Sequence, residues 1–177
     1  MIRDGLRLVA GGAGPPKGVA GDASVGVVLA ENHASLRRSL RSVLDRDDGV
    51  SVLAEARDLA TAMRHVRRLR PRVLLFDPWQ LDESGIEAVR RVREQAPSTE
   101  IVVLTMDDSR ARATHALEAG ALGFVLKDTA DSELPEAVRL AARGEGYASP
   151  RVSAHLPRAR ALGRRAAAPL ITSEVLP

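Results

Sequence analysis

No cysteine occurs in the 177 residues. That absence excludes disulfide frameworks, thiolate metal sites and any mechanism built on a Cys nucleophile. Aromatic residues amount to only 2%, too few flat rings for a base-stacking nucleic-acid surface. No uncharged apolar run reaches the roughly 18 residues of a membrane span. Met1 to Ala20 places Gly and Pro where a signal peptide needs an apolar stretch, so a cytoplasmic chain without a membrane anchor is expected. Lysine is scarce too: Lys17 and Lys127 are the two lysines in a chain whose Lys+Arg total is 26.

What is present is the balance of a folded protein, with 45% hydrophobic and 28% charged residues and a length that suits about one domain. The net charge of +3 is unevenly placed. The last segment, Ser149 to Pro177, sets five Arg against Glu174, whereas Met1 to Ser24 sets Arg3, Arg7 and Lys17 against Asp4 and Asp22. The stretch between them is therefore acidic on balance, and the basic total does not by itself make the folded part a nucleic-acid binder.

Three regions follow. Residues 1–24, rich in Gly and Pro, bury too little to offset their ordering entropy and read as a disordered leader. Residues 25–148 repeat one pattern: a short apolar run, a polar turn, then a stretch with helical periodicity. Residues 149–177, interrupted by Pro and mixing Arg with Ala, read as a basic linker or tail, or the start of a truncated further domain.

The apolar runs are Val25 to Ala30, Val50 to Ala54, Val73 to Phe76, Ile101 to Leu104 and Phe124 to Leu126. Their spacing of about 25 residues is near the least that a strand, a crossover helix and two turns require. Leu36, Leu40, Val43 and Leu44 form the first helical stripe; Leu59, Met63 and Val66 the second; Ile86, Val89 and Val92 the third. A weaker fourth stripe, Ala113, Ala116 and Leu117, ends at Gly120, and the fifth, Leu134, Ala137, Val138 and Ala141, ends at Gly144. Strands apolar on both faces, alternating with one-faced helices, predict an α/β fold: a doubly wound, five-stranded parallel sheet of (βα)5 type.

Ligands of such a sheet bind beyond the carboxyl ends of its strands. Those ends carry Glu31-Asn32-His33, Asp77, Thr105 and Lys127. A carboxylate, a hydroxyl and an ammonium converging there can hold a divalent cation and a phosphoryl group. Lys127 stands out because the chain otherwise uses Arg, and a flexible point charge suits a phosphate oxygen where a planar guanidinium does not. Each residue alone has an ordinary explanation, as a turn cap or a strand leaving the core; the three together on an apolar sheet do not.

These residues resemble the receiver domain of two-component response regulators, most closely the NarL/LuxR-type branch, over Val25 to about Val152. The similarity lies in VLLFD with Asp77, Gly85 eight residues later, VVLT with Thr105, GFVLKD with Phe124 and Lys127, and the later SPRV. The resemblance implies a flavodoxin-like fold with strand order 2-1-3-4-5. It implies a phosphorelay signalling module in transcription control, not an enzyme. Asp77 would accept a phosphoryl group from a sensor histidine kinase, with Thr105 and Lys127 contacting it. Mg²⁺ would be held at Glu31, Asn32, Asp77 and Trp79. Thr105 and Phe124 would form the switch, and homodimers would use helix faces such as those of the first and fifth helices.

The sequence departs from that family at several points. Asn32 stands where a second carboxylate is usual, Gln80-Leu81 replaces the common Met-Pro, and Met106 is larger than its usual counterpart. Trp79, two residues past Asp77, sets a bulky ring beside the site. Fewer than 30 residues follow Ser149, short of the roughly 60 a helix-turn-helix output module needs, so DNA contact would require a complete output domain elsewhere or in an intact parent protein. The alternative is an atypical receiver that binds partners or dimerises without phosphorylation. A phosphohydrolase on a similar sheet would want a second carboxylate at the position of Trp79. The Arg run from Arg64 to Arg72 reads as a solvated face. The tail's Arg158, Arg160, Arg164 and Arg165 lack the aromatic partners of a nucleic-acid surface. The four histidines, His33, His65, His115 and His155, lie on separate elements without zinc-ligand spacing.

Overall fold

The computed structural model describes residues 24–80 and 85–156. Residues 1–23 of the expected leader (1–24) and residues 157–177 of the expected tail (149–177) lie outside the described residues, as does Leu81 of the Gln80-Leu81 pair.

Six parallel strands form one sheet in the order β2-β1-β3-β4-β5-β6. They are β1 (Val25–Ala30), β2 (Val50–Ala56), β3 (Val73–Phe76), β4 (Glu100–Thr105), β5 (Gly123–Leu126) and β6 (Tyr147–Ala148). Five helices alternate with them, α1 (Ala34–Leu44), α2 (Leu59–Leu69), α3 (Gly85–Gln95), α4 (Arg110–Glu118) and α5 (Ala130–Ala142), and a short α6 (Pro150–Ser153) follows β6. The expected order 2-1-3-4-5 holds, but the sheet has six strands rather than five. Two residues are too few to give an alternation that sequence can reveal.

Each central strand divides its side chains between two cores, because successive Cβ atoms point to opposite faces. Val27, Leu29, Val73, Leu75, Val102, Leu104 and Val125 meet Leu40 and Leu44 of α1 and Leu134, Ala137, Val138 and Ala141 of α5. Val28, Ala30, Leu74, Phe76, Ile101, Val103, Phe124 and Leu126 meet α2, α3 and α4. The predicted stripes of α2 (Leu59, Met63, Val66) and α5 are wholly buried. α1 and α5 pack side by side on one face.

The helix ends follow local chemistry. Asp58 accepts from the Thr61 N–H at 2.7 Å and caps α2, while Ser109 accepts from the Arg112 N–H and caps α4. Gly120 and Gly144, the expected stops, adopt φ of 109° and 77°, left-handed values that cost glycine nothing. α2 instead closes on Arg70 at φ 46°, immediately before Pro71.

The packed unit does not stop at Ala148. Val152 and Leu156 are buried against the α2–α4 side. Ser149, also buried, accepts from the Leu126 N–H at 2.9 Å and donates its own hydroxyl to Glu133 on α5. That pair of bonds ties β6 and α6 to the end of β5.

Candidate functional site

Glu31, Asp77, Thr105 and Lys127 each stand immediately at or after the carboxyl end of a strand: β1, β3, β4 and β5 respectively. β1, β3, β4 and β5 are consecutive neighbours in the sheet, so the topology alone gathers these four residues along one rim. All four are buried.

Lys127 Nζ lies 2.6 Å from Glu31 Oε2 and 2.7 Å from Asp77 Oδ2. Burying an ammonium is expensive without compensation, and two carboxylates at this range supply it. The remaining oxygens are engaged as well. Glu31 Oε1 accepts from the His33 N–H at 2.9 Å and lies 3.1 Å from His33 Nδ1. Asp77 Oδ1 accepts from the Trp79 N–H at 3.0 Å. Burial pushes the Glu31 carboxyl up, but the hydrogen bond from Lys127 and those from His33 outweigh it and hold the group below its usual range. Arg37 fixes the same loop by donating to the Glu31 carbonyl at 2.7 Å.

Asn32 and Thr105 sit differently. The Asn32 side chain is exposed, its Nδ2 3.4 Å from the Gln80 carbonyl, a long contact that leaves Oδ1 open. Thr105 Oγ1 accepts from the Asp107 N–H at 3.1 Å, while the Lys127 N–H donates to the Thr105 carbonyl at 2.9 Å. The structure thus joins the side chains of Glu31, Asp77 and Lys127 directly, whereas Thr105 meets Lys127 through the backbone and turns its hydroxyl to the Asp107 N–H. Met106, the next residue, is 65% exposed.

Phe124 is fully buried, and Trp79 meets it edge to face with ring centroids 6.2 Å apart. Arg112 of α4 stands over the Trp79 ring, its Cζ 5.1 Å from the centroid. Gly85 makes room for that ring: a Cβ there would fall 2.5 Å from Trp79 Nε1. Sequence reading singled out Trp79 and Phe124 but gave no sign that they touch. It missed Arg112, Ser149 and Glu133 as supports; the SPRV motif holding Ser149 was the one available signal. Arg151, from that motif, pairs with Asp128 at 2.8 Å beside Lys127.

Mg²⁺ prefers hard, charged oxygen ligands. Two carboxylates held against one ammonium, with the Asn32 amide oxygen on the same rim, fit that preference, although among the described residues no three His, Cys, Asp or Glu side chains gather as a metal cluster. Among the described residues no helix is long and apolar enough to cross a membrane.

Comparison with known proteins agrees with this geometry. The response regulator receiver domain family matches residues 27–139. The oxygen regulatory protein NreC of Staphylococcus carnosus is 34% identical over 131 residues, covering 73% of this chain and 60% of that protein. The nitrate/nitrite response regulator NarP of Escherichia coli is 34% identical over 130 residues with the same coverage. The chain therefore spans 60% of the length of these curated relatives. A solved LuxR-family two-component response regulator from Aurantimonas sp. superimposes with TM-score 0.69 and 31% identity, covering 75% of this chain and 94% of that one. With its six-stranded sheet and its Glu31–Lys127–Asp77 rim, the chain belongs to the response regulator receiver domain family.

Proposed function

We propose that this receiver accepts a phosphoryl group on Asp77 from a sensor histidine kinase and converts it into a changed partner surface. The observation that supports the reading most is the buried Lys127 ammonium against both carboxylates. In the transfer, a carboxylate oxygen of Asp77 attacks the phosphorus of a phosphohistidine. The new P–O bond forms as the P–N bond breaks, and the departing imidazole takes up a proton from solvent. Such chemistry asks for positioning and charge neutralisation more than for covalent help. Lys127 would balance charge on the phosphoryl oxygens, and the Thr105 hydroxyl, which accepts from the Asp107 N–H, would donate its own O–H to one of them. Mg²⁺ would be held by Glu31, Asp77, the Asn32 amide oxygen and the Trp79 backbone carbonyl, and would neutralise the charge on the incoming group. Phe124 beside Trp79 is the switch aromatic that would repack when Thr105 moves.

Intact-mass measurement after incubation with acetyl phosphate and Mg²⁺ tests this: the protein gains one phosphoryl group and Asp77→Ala gains none. A wild-type protein that stays unmodified overturns the reading.

A second reading, a receiver that works by association without phosphorylation, is favoured by Asn32 and by the engagement of all four carboxylate oxygens with protein donors. An isologous homodimer through the paired α1 and α5 faces is its natural form. Sedimentation before and after phosphodonor treatment separates the two, since only the first requires a change. Control of transcription and DNA contact enter only through an output domain joined to, or partnered with, this receiver.

A further inference from the structure

Two loops flank Asp77, and one guanidinium joins them. From Asp77, Oδ1 accepts from the Trp79 N–H at 3.0 Å, and the Trp79 ring carries Arg112 at 5.1 Å. From the other side, Arg112 Nε lies 3.2 Å from Asp107 Oδ2, and the Asp107 N–H donates to Thr105 Oγ1 at 3.1 Å. The contacts run unbroken from the acceptor carboxylate to the hydroxyl at the end of β4, by way of a single side chain on α4.

We infer that Arg112 restrains phosphoryl acceptance at Asp77, acting through Trp79 and Asp107 to hold the loops after β3 and β4 in the arrangement of the unmodified protein. The inference rests on the phosphoacceptor reading above and adds to it a second link beside the Thr105 and Phe124 switch. The residue type suits the role, because a planar guanidinium can stack on an indole and pair with a carboxylate at the same time. The indole is itself seated: it lies against Phe124 and over the bare Cα of Gly85. Asp107 is seated too, its Oδ1 accepting from the Ser109 N–H at 2.7 Å. Neither end of the link is a freely moving side chain.

Phosphorylation disturbs both ends. A phosphoryl group on Asp77 replaces one carboxylate oxygen environment next to the Trp79 N–H, and turning Thr105 toward that group draws on the hydroxyl that Asp107 now bonds. A contact present in one state and lost in the other biases the equilibrium by its own worth. For an exposed cation–π contact that amounts to roughly two- to fivefold in population.

The test uses the full chain as wild type, Arg112→Gln, Arg112→Lys and Asp107→Asn. Asp107→Asn keeps an oxygen for the Ser109 N–H while removing the charge facing Arg112. The rate of mass gain from acetyl phosphate is read together with the emission of Trp79, the one Trp of the chain. Arg112→Gln and Asp107→Asn are expected to gain the phosphoryl group about two- to fivefold faster. Their Trp79 emission before treatment should lie close to that of the phosphorylated wild type, and Arg112→Lys should restore wild-type behaviour in part. Wild-type rates together with an unchanged emission response in both Arg112→Gln and Asp107→Asn overturn the role of Arg112 while leaving phosphorylation intact. If the wild type gains no mass, the phosphoacceptor reading fails and this one fails with it.

Discussion

Lys127 Nζ lies 2.6 Å from Glu31 Oε2, and both side chains are shut off from solvent. The two residues stand at the ends of β1 and β5, far apart in sequence, and Asp77 at the end of β3 shares the same ammonium.

Lys127→Met leaves two buried carboxylates without a counter-ion. The expected loss is about 3–5 kcal/mol at neutral pH, measured by urea unfolding. The pH dependence follows from Glu31, whose carboxyl is lowered from its ordinary 4.5 in the folded protein. A depressed folded value contributes stability above the ordinary value and loses it as pH falls through the folded one. The gap between wild type and Lys127→Met should therefore narrow in acid; a constant gap from neutral pH to below 4.5 would count against the charge explanation.

Asn32→Asp restores a charged oxygen beside Glu31. Mg²⁺ affinity, followed by Trp79 emission, should rise by about tenfold or more, a modest share of the roughly 4 kcal/mol that a unit charge pair provides at ~4 Å and an effective dielectric near 20. Equal affinities would remove Asn32 from the account of metal binding.

Gly85→Ala drives a methyl group into the Trp79 ring, 2.5 Å from Nε1. Because the indole is backed by Phe124, it must leave its seat; the expected cost is about 1–3 kcal/mol, with a shift of Trp79 emission toward that of an exposed indole. Wild-type stability and emission together would show that the ring yields freely.

Tyr147→Phe addresses the end of the sheet. Burial, and then the neighbouring charge and hydrogen bond of Glu133, push the Tyr147 phenol well above its ordinary 10.0. A raised folded value means stability that is complete below the unfolded value and declines as pH climbs past it. Wild type should lose stability above pH 10.0 and Tyr147→Phe should not share that part of the loss, as thermal midpoints at several alkaline pH values will tell.

What the sequence by itself determined is whatever lies within one element. Unbroken apolar runs along Val27 to Ala30 and Val73 to Phe76 specified strands buried on both faces, the stripes of α2 and α5 specified their inner sides, and Gly120 and Gly144 marked helix ends. Asp77, Thr105 and Lys127 were legible for the same reason: each interrupts an apolar run at its end, and in a parallel sheet all such ends share one rim. Only the tertiary structure decided which of these groups touch. That Lys127 takes Glu31 and Asp77 together, that Asn32 faces solvent, and that Arg112 spans Trp79 and Asp107 depend on loop paths and rotamers set by residues far apart in the chain. β6 and α6 were invisible for a related reason: Tyr147–Ala148 is too short to carry a period, and it is held by bonds from Ser149 to Leu126 and Glu133 that exist only once β5 and α5 are already packed.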